Sequence, residues 1–448
     1  MTDSLRPGNL IRQTLLLFSG MLCLLILTHS GFDNSEANYH YLISQQILQR
    51  GVLSFETPHE GPFIVAPNGR TYAAHELGNS LALLPVAMAN GALERAASAR
   101  LGNAKVALGA RFLFAMMGPV FCAAASAFLF MTLRLIFLQP ARTAAYGVLS
   151  FCFCSFYWTY SRSIFDGVLC SVLLSATMFF LFYYARHRGR WDALAAALFC
   201  IGFGIITRLS MVLVALAALA YLVSVLRHES ALRIKQVACI CAITLGPFLA
   251  WQLYYNHLRT GQMFISPGMT AKYASEIGLT GNIWTGAAGL LFSPGKSIFI
   301  YCSAALLSLF LFRRFQFRYR HEAIFVAVLC IFWLILHARL QSWYGSWGWG
   351  PRHFVTIVPA LLLPFLAVRP EVQSRAFRWV TALLLSFGFT LAAASIITNY
   401  HYRLGLAAAE HRNSDSLLVW SVQSNQAVDD LGAAGRNVRR IIFGGDYE

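Results

Sequence analysis

The chain has 448 residues, of which 57% are hydrophobic and only 12% charged, with a mean hydropathy of +0.57. A soluble domain carries about a quarter of its residues as charges to cover its surface; half that density excludes one, and the apolar residues arrive in runs near the ~20 that a bilayer span requires. The net charge of +16 does not point to nucleic acid, because Lys and Arg sit in short loops between apolar runs rather than on one soluble face.

In chain order, Arg6 and Arg12 precede an apolar run from Leu15 to Leu27 with no small-x-small cleavage site after it, which reads as an uncleaved first span. With 13–29 as the first, runs at 106–133, 143–160, 165–184, 192–207, 209–226, 236–255, 297–312, 322–337, 354–368 and 376–398 predict an all-α polytopic membrane protein, a bundle of about eleven transmembrane helices. One further run, 77–93, is bounded by His75, Glu76 and Asn79 before it and Glu94 and Arg95 after it. If it does not span, Arg134–Arg142, Arg186–Arg190, Arg227–Lys235, Arg313–Arg320 and Arg369–Arg378 all share the N-terminal side, as a positive-inside bias requires. If it spans, all of them flip. The run therefore reads as an interfacial or re-entrant helix, at the cost of leaving Arg95, Arg100 and Lys105 outside.

This parity defines a transmembrane domain, 1–398, with a long first outer loop, 30–105, and a polar outer tail, 399–448, whose composition allows partial disorder. No internal repeat of the kind that builds inverted-repeat transporters stands out. Most of the ten cysteines (Cys23, Cys152, Cys154, Cys170, Cys200, Cys239 and Cys241 among them) lie inside apolar runs, where a thiol behaves as a small hydrophobe rather than as part of a disulfide framework.

The first loop opens GFDNSEANYHYLISQQILQRG. It predicts an amphipathic helix from Glu36 to Arg50, with Tyr39, Ile43 and Ile47 on one face and Gly51 as its stop. Asp33 and Glu36 have the spacing of a capping box, and a cap can also present a carboxylate at a membrane surface. Asp166, in YSRSIFDGVLC, lies at the outer mouth between two spans. An acid there is costly and points to function; the structural alternative is a pair with Arg162, four residues back.

Three basic residues gather at the same rim: Arg208 in ITRLS, Lys296 in LLFSPGKS and Arg352 in WGWGPRH. They are either snorkelling interfacial residues or cations for a phosphate at the membrane surface, which Arg352 could grip bidentately. SPGKS is not a P-loop end, since the required glycine five positions before Gly295 is Leu290. QSWYGSWGWGPRH holds Trp343, Tyr344 and Trp347 among interleaved glycines. An aromatic belt accounts for the rings, whereas the glycines suggest close approach to a ligand such as a sugar.

Taken together, the acid-bearing first loop, GRTYAAHELGNSLALLP, YSRSIFDG, ITRLS, YYNHLRTGQMF, GLLFSPGKSIFIY and WYGSWGWGPRHF resemble the bacterial GT-C glycosyltransferases, which include the aminoarabinose transferase of lipid A and the protein O-mannosyltransferases. The resemblance covers most of residues 10–370. It implies a GT-C-like bundle with interfacial helices in the first outer loop, a polyprenyl-phosphate-sugar donor, and inversion at the anomeric carbon by one displacement. It also implies a multi-pass protein of the bacterial inner membrane, with its active site facing the periplasm. Carried onto this chain, Asp33 is the general base with Glu36 as understudy, and Asp166 is the second acid that orients the acceptor or helps to hold a metal. His75 and Glu76 fall where relatives place a polar motif touching the donor phosphate or a metal.

The chain departs from the pattern twice: the adjacent acid pair is spread to Asp33 and Glu36, and the later motif reads His-Glu-Leu-Gly. His59, Glu60, His75 and Glu76 supply ligand types without a metal-site spacing, so no cofactor is assigned and a divalent metal stays open. The acceptor is a glycolipid, a polysaccharide or a protein, with membrane lipids as the surroundings and no nucleic acid. The rival functions are a transporter or flippase of a lipid-linked glycan, an O-antigen ligase or polymerase, and a non-enzymatic scaffold. The first would line a central path with charges, the second is marked by a large late outer loop, and the third leaves Asp166 and the Trp-Gly segment unexplained.

Overall fold

The structure, a computed structural model, describes residues 7–29, 37–56, 62–101, 109, 112–267, 278–345, 348–368, 374–398, 420 and 426–443. Most of these are helical, as the sequence predicts. Helix α1 (Pro7–Leu27) leaves Leu15, Leu16 and Leu27 exposed. Such apolar surface suits a hydrocarbon solvent, where only internally hydrogen-bonded backbone can span.

The first loop then builds a small platform. Helix α2 (Ala37–Arg50) ends at Gly51, which takes φ +66, the left-handed conformation that glycine adopts without strain. Tyr39 and Ile43 are buried and Ile47 packs against their cluster, as the spacing predicts. Three short strands follow: β1 (Ser54–Phe55), β2 (Phe63–Val65) and β3 (Thr71–Ala73), in the antiparallel order β1-β3-β2. They depart from the all-helical expectation. The signal was Asn68-Gly69, a hairpin pair, with Gly69 at φ +77 and the Asn68 side chain accepting from the Arg70 amide at 3.0 Å.

Helices α3 (Gly78–Ala82) and α4 (Leu84–Leu101) occupy the ambiguous run. Neither is among the helices long and apolar enough to cross a membrane. The Asn90 amide donates to the Tyr41 hydroxyl at 2.8 Å, tying α4 to α2. The bundle proper contains α5 (Met117–Met131), α6 (Ala141–Phe153), α7 (Asp166–Arg186), α8 (Trp191–Thr207), α9 (Val212–Leu226) and α10 (Ala231–Thr260). After these come α11 (Ile283–Phe292), the single turn α12 (Ile298–Tyr301), α13 (Ala304–Arg318), α14 (Arg320–Ala338), α15 (Val358–Val368) and α16 (Arg375–Ile397). An amphipathic helix, α17 (Gln426–Phe443), forms part of the tail.

Seven helices among the described residues have the length and composition of a span. The other predicted runs are helices of 13, 17, 15 and 11 residues, namely α6, α8, α13 and α15. Two runs are shorter than expected because their helices break. The run 143–160 stops at Phe153 and 297–312 is interrupted after Tyr301, and there the Phe156 amide donates to the Tyr301 carbonyl at 3.0 Å. Each break thus supplies a hydrogen-bond partner to the other inside protein, which is how irregular backbone survives at membrane depth.

The two ends of the bundle differ. At one end Arg186 pairs with Glu322 at 2.9 Å, Arg188 pairs with Glu229, and Ser224 meets His321 at 2.9 Å. Arg186, Arg188 and Glu229 belong to the basic loops that the parity argument puts inside, and Ser224, His321 and Glu322 stand at the helix ends beside them. The opposite end holds the first-loop platform, the N-terminus of α7, the C-terminus of α8 and helix α17.

Candidate active site

Asp166 opens α7, and partners from the first loop cover it. His40 Nε2 lies 2.8 Å from its Oδ1, and the Asn79 side-chain amide donates to the same oxygen at 2.9 Å and to the Ile164 carbonyl at 2.7 Å. The other imidazole nitrogen, Nδ1, meets the Ser80 hydroxyl at 3.0 Å. His40 is fully buried and Asp166 is 5% exposed. A carboxylate there needs such partners, because burying an uncompensated charge is expensive, and the start of a helix adds a favourable dipole. Both partners hold Oδ1, and among the described residues Oδ2 accepts no hydrogen bond. Arg162 does not pair with Asp166; its guanidinium donates to the Ser395 carbonyl at 3.0 Å.

Close packing of glycine brings α3 to this place. A Cβ on Gly78 would lie 2.1 Å from Thr207 Oγ1, so only glycine lets α3 sit on the end of α8 and carry Asn79 to Asp166. His75 is half-buried and stacks on Tyr39, with ring centroids 5.2 Å apart. Glu76 is a strut: its carboxylate lies 3.3 Å from Arg259 Nη2. Arg259 is 1% exposed. It also donates to the carbonyls of Ala74 and His75, both at 3.0 Å, and to Asn256 Oδ1 at 2.7 Å. The pair pins the loop before α3 onto the end of α10.

Two of the three predicted cations converge. The Arg208 and Arg352 guanidiniums lie 5.3 and 5.6 Å from the centroid of one ring, Phe165, the residue before Asp166. Arg208 Nη2 is 3.1 Å from His353 Nδ1. A guanidinium only donates, so that nitrogen accepts and the imidazole is neutral, its Nε2–H turned toward the Ser342 carbonyl at 3.4 Å. Lys296 is placed otherwise: it is 3% exposed, and its ammonium donates to the Gly348 carbonyl, which makes it an anchor of the Trp-Gly loop.

The glycines of that loop serve an arginine. A Cβ on Gly348 would stand 2.2 Å from Arg352 Cδ and one on Gly345 2.8 Å from its Cγ, so the side chain runs along bare backbone. Trp343 is 8% exposed and lies over Gly289, and Tyr344 packs at the edge of the core. The glycines do not all bring aromatic faces to open space: Gly345 and Gly348 make room for Arg352, Gly350 lies against Tyr301, and the described aromatics Trp343, Tyr344 and Trp349 are packed. Asp33, Glu36 and Trp347, together with His59 and Glu60, lie outside the described residues.

Sequence reasoning missed His40, Asn79, Arg259, His353 and Asp430. Asn79, Arg259 and His353 stand inside the family-like motifs and His40 on the first-loop helix, but none gave a local signal of its role, because those roles arise from contacts between distant segments. Among the described residues no three His, Cys, Asp or Glu side chains come together to hold a metal. Glu76 is engaged by Arg259, and among the described residues no set of three such side chains forms around Asp166, so no step is routed through a metal.

Comparison with known proteins agrees with this architecture. A family profile described as dolichyl-phosphate-mannose-protein mannosyltransferase matches residues 96–251. The crystal structure of ArnT from Cupriavidus metallidurans bound to undecaprenyl phosphate superposes with a TM-score of 0.55 at 14% identity, covering 95% of this chain and 78% of that one. ArnT from the same organism in the apo state gives 0.54 at 12% identity over the same shares. No curated protein sequence matches. The chain shares the fold of ArnT over most of its length, and the resemblance read from its motifs holds at the level of that fold.

Proposed function

We propose that this protein is an inverting glycosyltransferase that moves a monosaccharide from a polyprenyl-phosphate donor to a cell-envelope acceptor on the periplasmic face of a bacterial inner membrane. One observation carries the reading: at one end of an ArnT-like bundle, an acid with a free oxygen adjoins a ring flanked by two arginines. A departing phosphate needs cations and an attacking hydroxyl needs a carboxylate to orient it, so both kinds of group must border one sugar-sized space. The ArnT structure that the chain resembles holds undecaprenyl phosphate, which matches the donor class.

In the reaction the acceptor oxygen attacks the anomeric carbon as the bond from that carbon to the phosphate oxygen breaks. The acceptor proton passes to a carboxylate, and polyprenyl phosphate departs with the electron pair. Asp33 takes the proton, with Glu36 in reserve, a contribution of about 10²–10⁴ in rate. Asp166 uses Oδ2 to orient the acceptor hydroxyl. Arg208 and Arg352 bind the phosphate and stabilise its growing charge; each offers a planar fork suited to two phosphate oxygens. His75 borders the same space.

The test offers purified protein in proteoliposomes a panel of radiolabelled polyprenyl-phosphate sugars with native membrane extract as acceptor. The reading expects label in an envelope product and release of polyprenyl phosphate. Label that crosses the bilayer with the donor intact would instead establish a transporter.

A further inference from the structure

We propose that the C-terminal helix is a working part of the donor site: Asp430 positions the Trp-Gly loop and, through it, the Arg352 guanidinium that meets the lipid-linked phosphate. This rests on the reading of the site given above. Helix α17 turns Ala427, Asp430, Ala433, Ala434 and Asn437 toward the protein, a spacing of three and four that fits one helical face, and it packs along α16.

A buried carboxylate on that face has a specific target. Asp430 is 2% exposed, and its Oδ2 accepts the indole N–H of Trp349 at 2.6 Å while Oδ1 accepts the Thr398 hydroxyl at 3.1 Å. Trp349 is fully buried, edge-on to Tyr301 with centroids 4.7 Å apart, and its carbonyl accepts from the Tyr160 hydroxyl at 2.8 Å. The residue before it, Gly348, is held through its carbonyl by Lys296 and forms the wall along which Arg352 runs. The loop is thus fixed by Lys296, by Tyr160 and by Asp430. The first two hold backbone carbonyls, and the tail holds the side chain. Removing Asp430 strands a buried donor, and the segment that relieves it is the one that shapes Arg352.

Asp430→Ala, Trp349→Phe and the double variant are compared with wild type in donor KM, acceptor KM, kcat and the Kd for undecaprenyl phosphate alone. In Asp430→Ala the donor KM and that Kd rise about fivefold or more, while acceptor KM is unchanged. Trp349→Phe, which keeps a ring and loses the N–H, does the same, and the double variant is no worse than the worse single. Asp430→Asn, with the shape and one acceptor retained, falls between. A drop in kcat with donor KM and Kd unmoved would reduce Asp430 to a structural role and overturn the inference, as would additive effects of the two substitutions. Wild type that binds undecaprenyl phosphate yet transfers no sugar contradicts the glycosyltransferase reading alone, and the Kd comparison still decides the role of Asp430. Wild type that binds none overturns both.

Discussion

His40 on the first-loop helix and Asp166 at the head of α7 meet at 2.8 Å inside the protein, both shielded from solvent. The contact fastens the loop platform to the bundle and fixes one oxygen of the acid. Removing one partner of a buried pair costs about 3–5 kcal/mol when nothing replaces it. His40→Ala should therefore lower the melting temperature in detergent and depress transfer. His75→Ala, which loses one ring stack worth about 0.5–1.5 kcal/mol, should change stability far less. Thermal unfolding of both variants checks this; equal effects would contradict the account.

Arg208 is held by His353 and faces Phe165. Lysine keeps the charge but lacks the fork that can bond an imidazole and a phosphate together. Arg208→Lys should raise donor KM about tenfold, equivalent to ~1.4 kcal/mol, with little change in unfolding temperature. Steady-state kinetics with the donor varied would read it.

Gly348→Ala should behave as an arginine mutation. The new methyl would sit 2.2 Å from Arg352 Cδ and 2.8 Å from its Cβ, too near the backbone for the side chain to swing clear. Transfer should fall by about tenfold or more, as small displacements of positioned groups do. Gly20→Ala, with nothing within 4 Å of the new atom, should be silent. The paired activities of these two variants make the comparison.

The bundle was legible because a span announces itself over ~20 residues. Gly51 and the face of Tyr39, Ile43 and Ile47 were legible for a similar reason: they are local. The β-hairpin has a local sign at Asn68-Gly69, but its strands of two and three residues are too short to show an alternating pattern. Helix breaks at Phe153 and Tyr301 could not be read, since each depends on a hydrogen bond to the other. The site follows the same division. Asp166, Arg208 and Arg352 stood out as charges at span ends, and the structure brings them together around Phe165. Lys296 carried the same local signal and took a different role, because the carbonyl that holds it belongs to Gly348, far along the chain. His40 looked like one more polar residue of an amphipathic helix, and Asp430 like part of a polar tail.

The most direct test of the central claim is transfer from a radiolabelled polyprenyl-phosphate sugar by wild type, Asp33→Asn, Glu36→Gln and Asp166→Asn, each checked for folding. The account predicts a loss of about 10²–10⁴ in Asp33→Asn, a loss of tenfold or more in Asp166→Asn, and a product of inverted anomeric configuration. Glu36→Gln should retain activity. Full transfer by Asp33→Asn and Asp166→Asn together would contradict it, for neither acid would then take part in the chemistry.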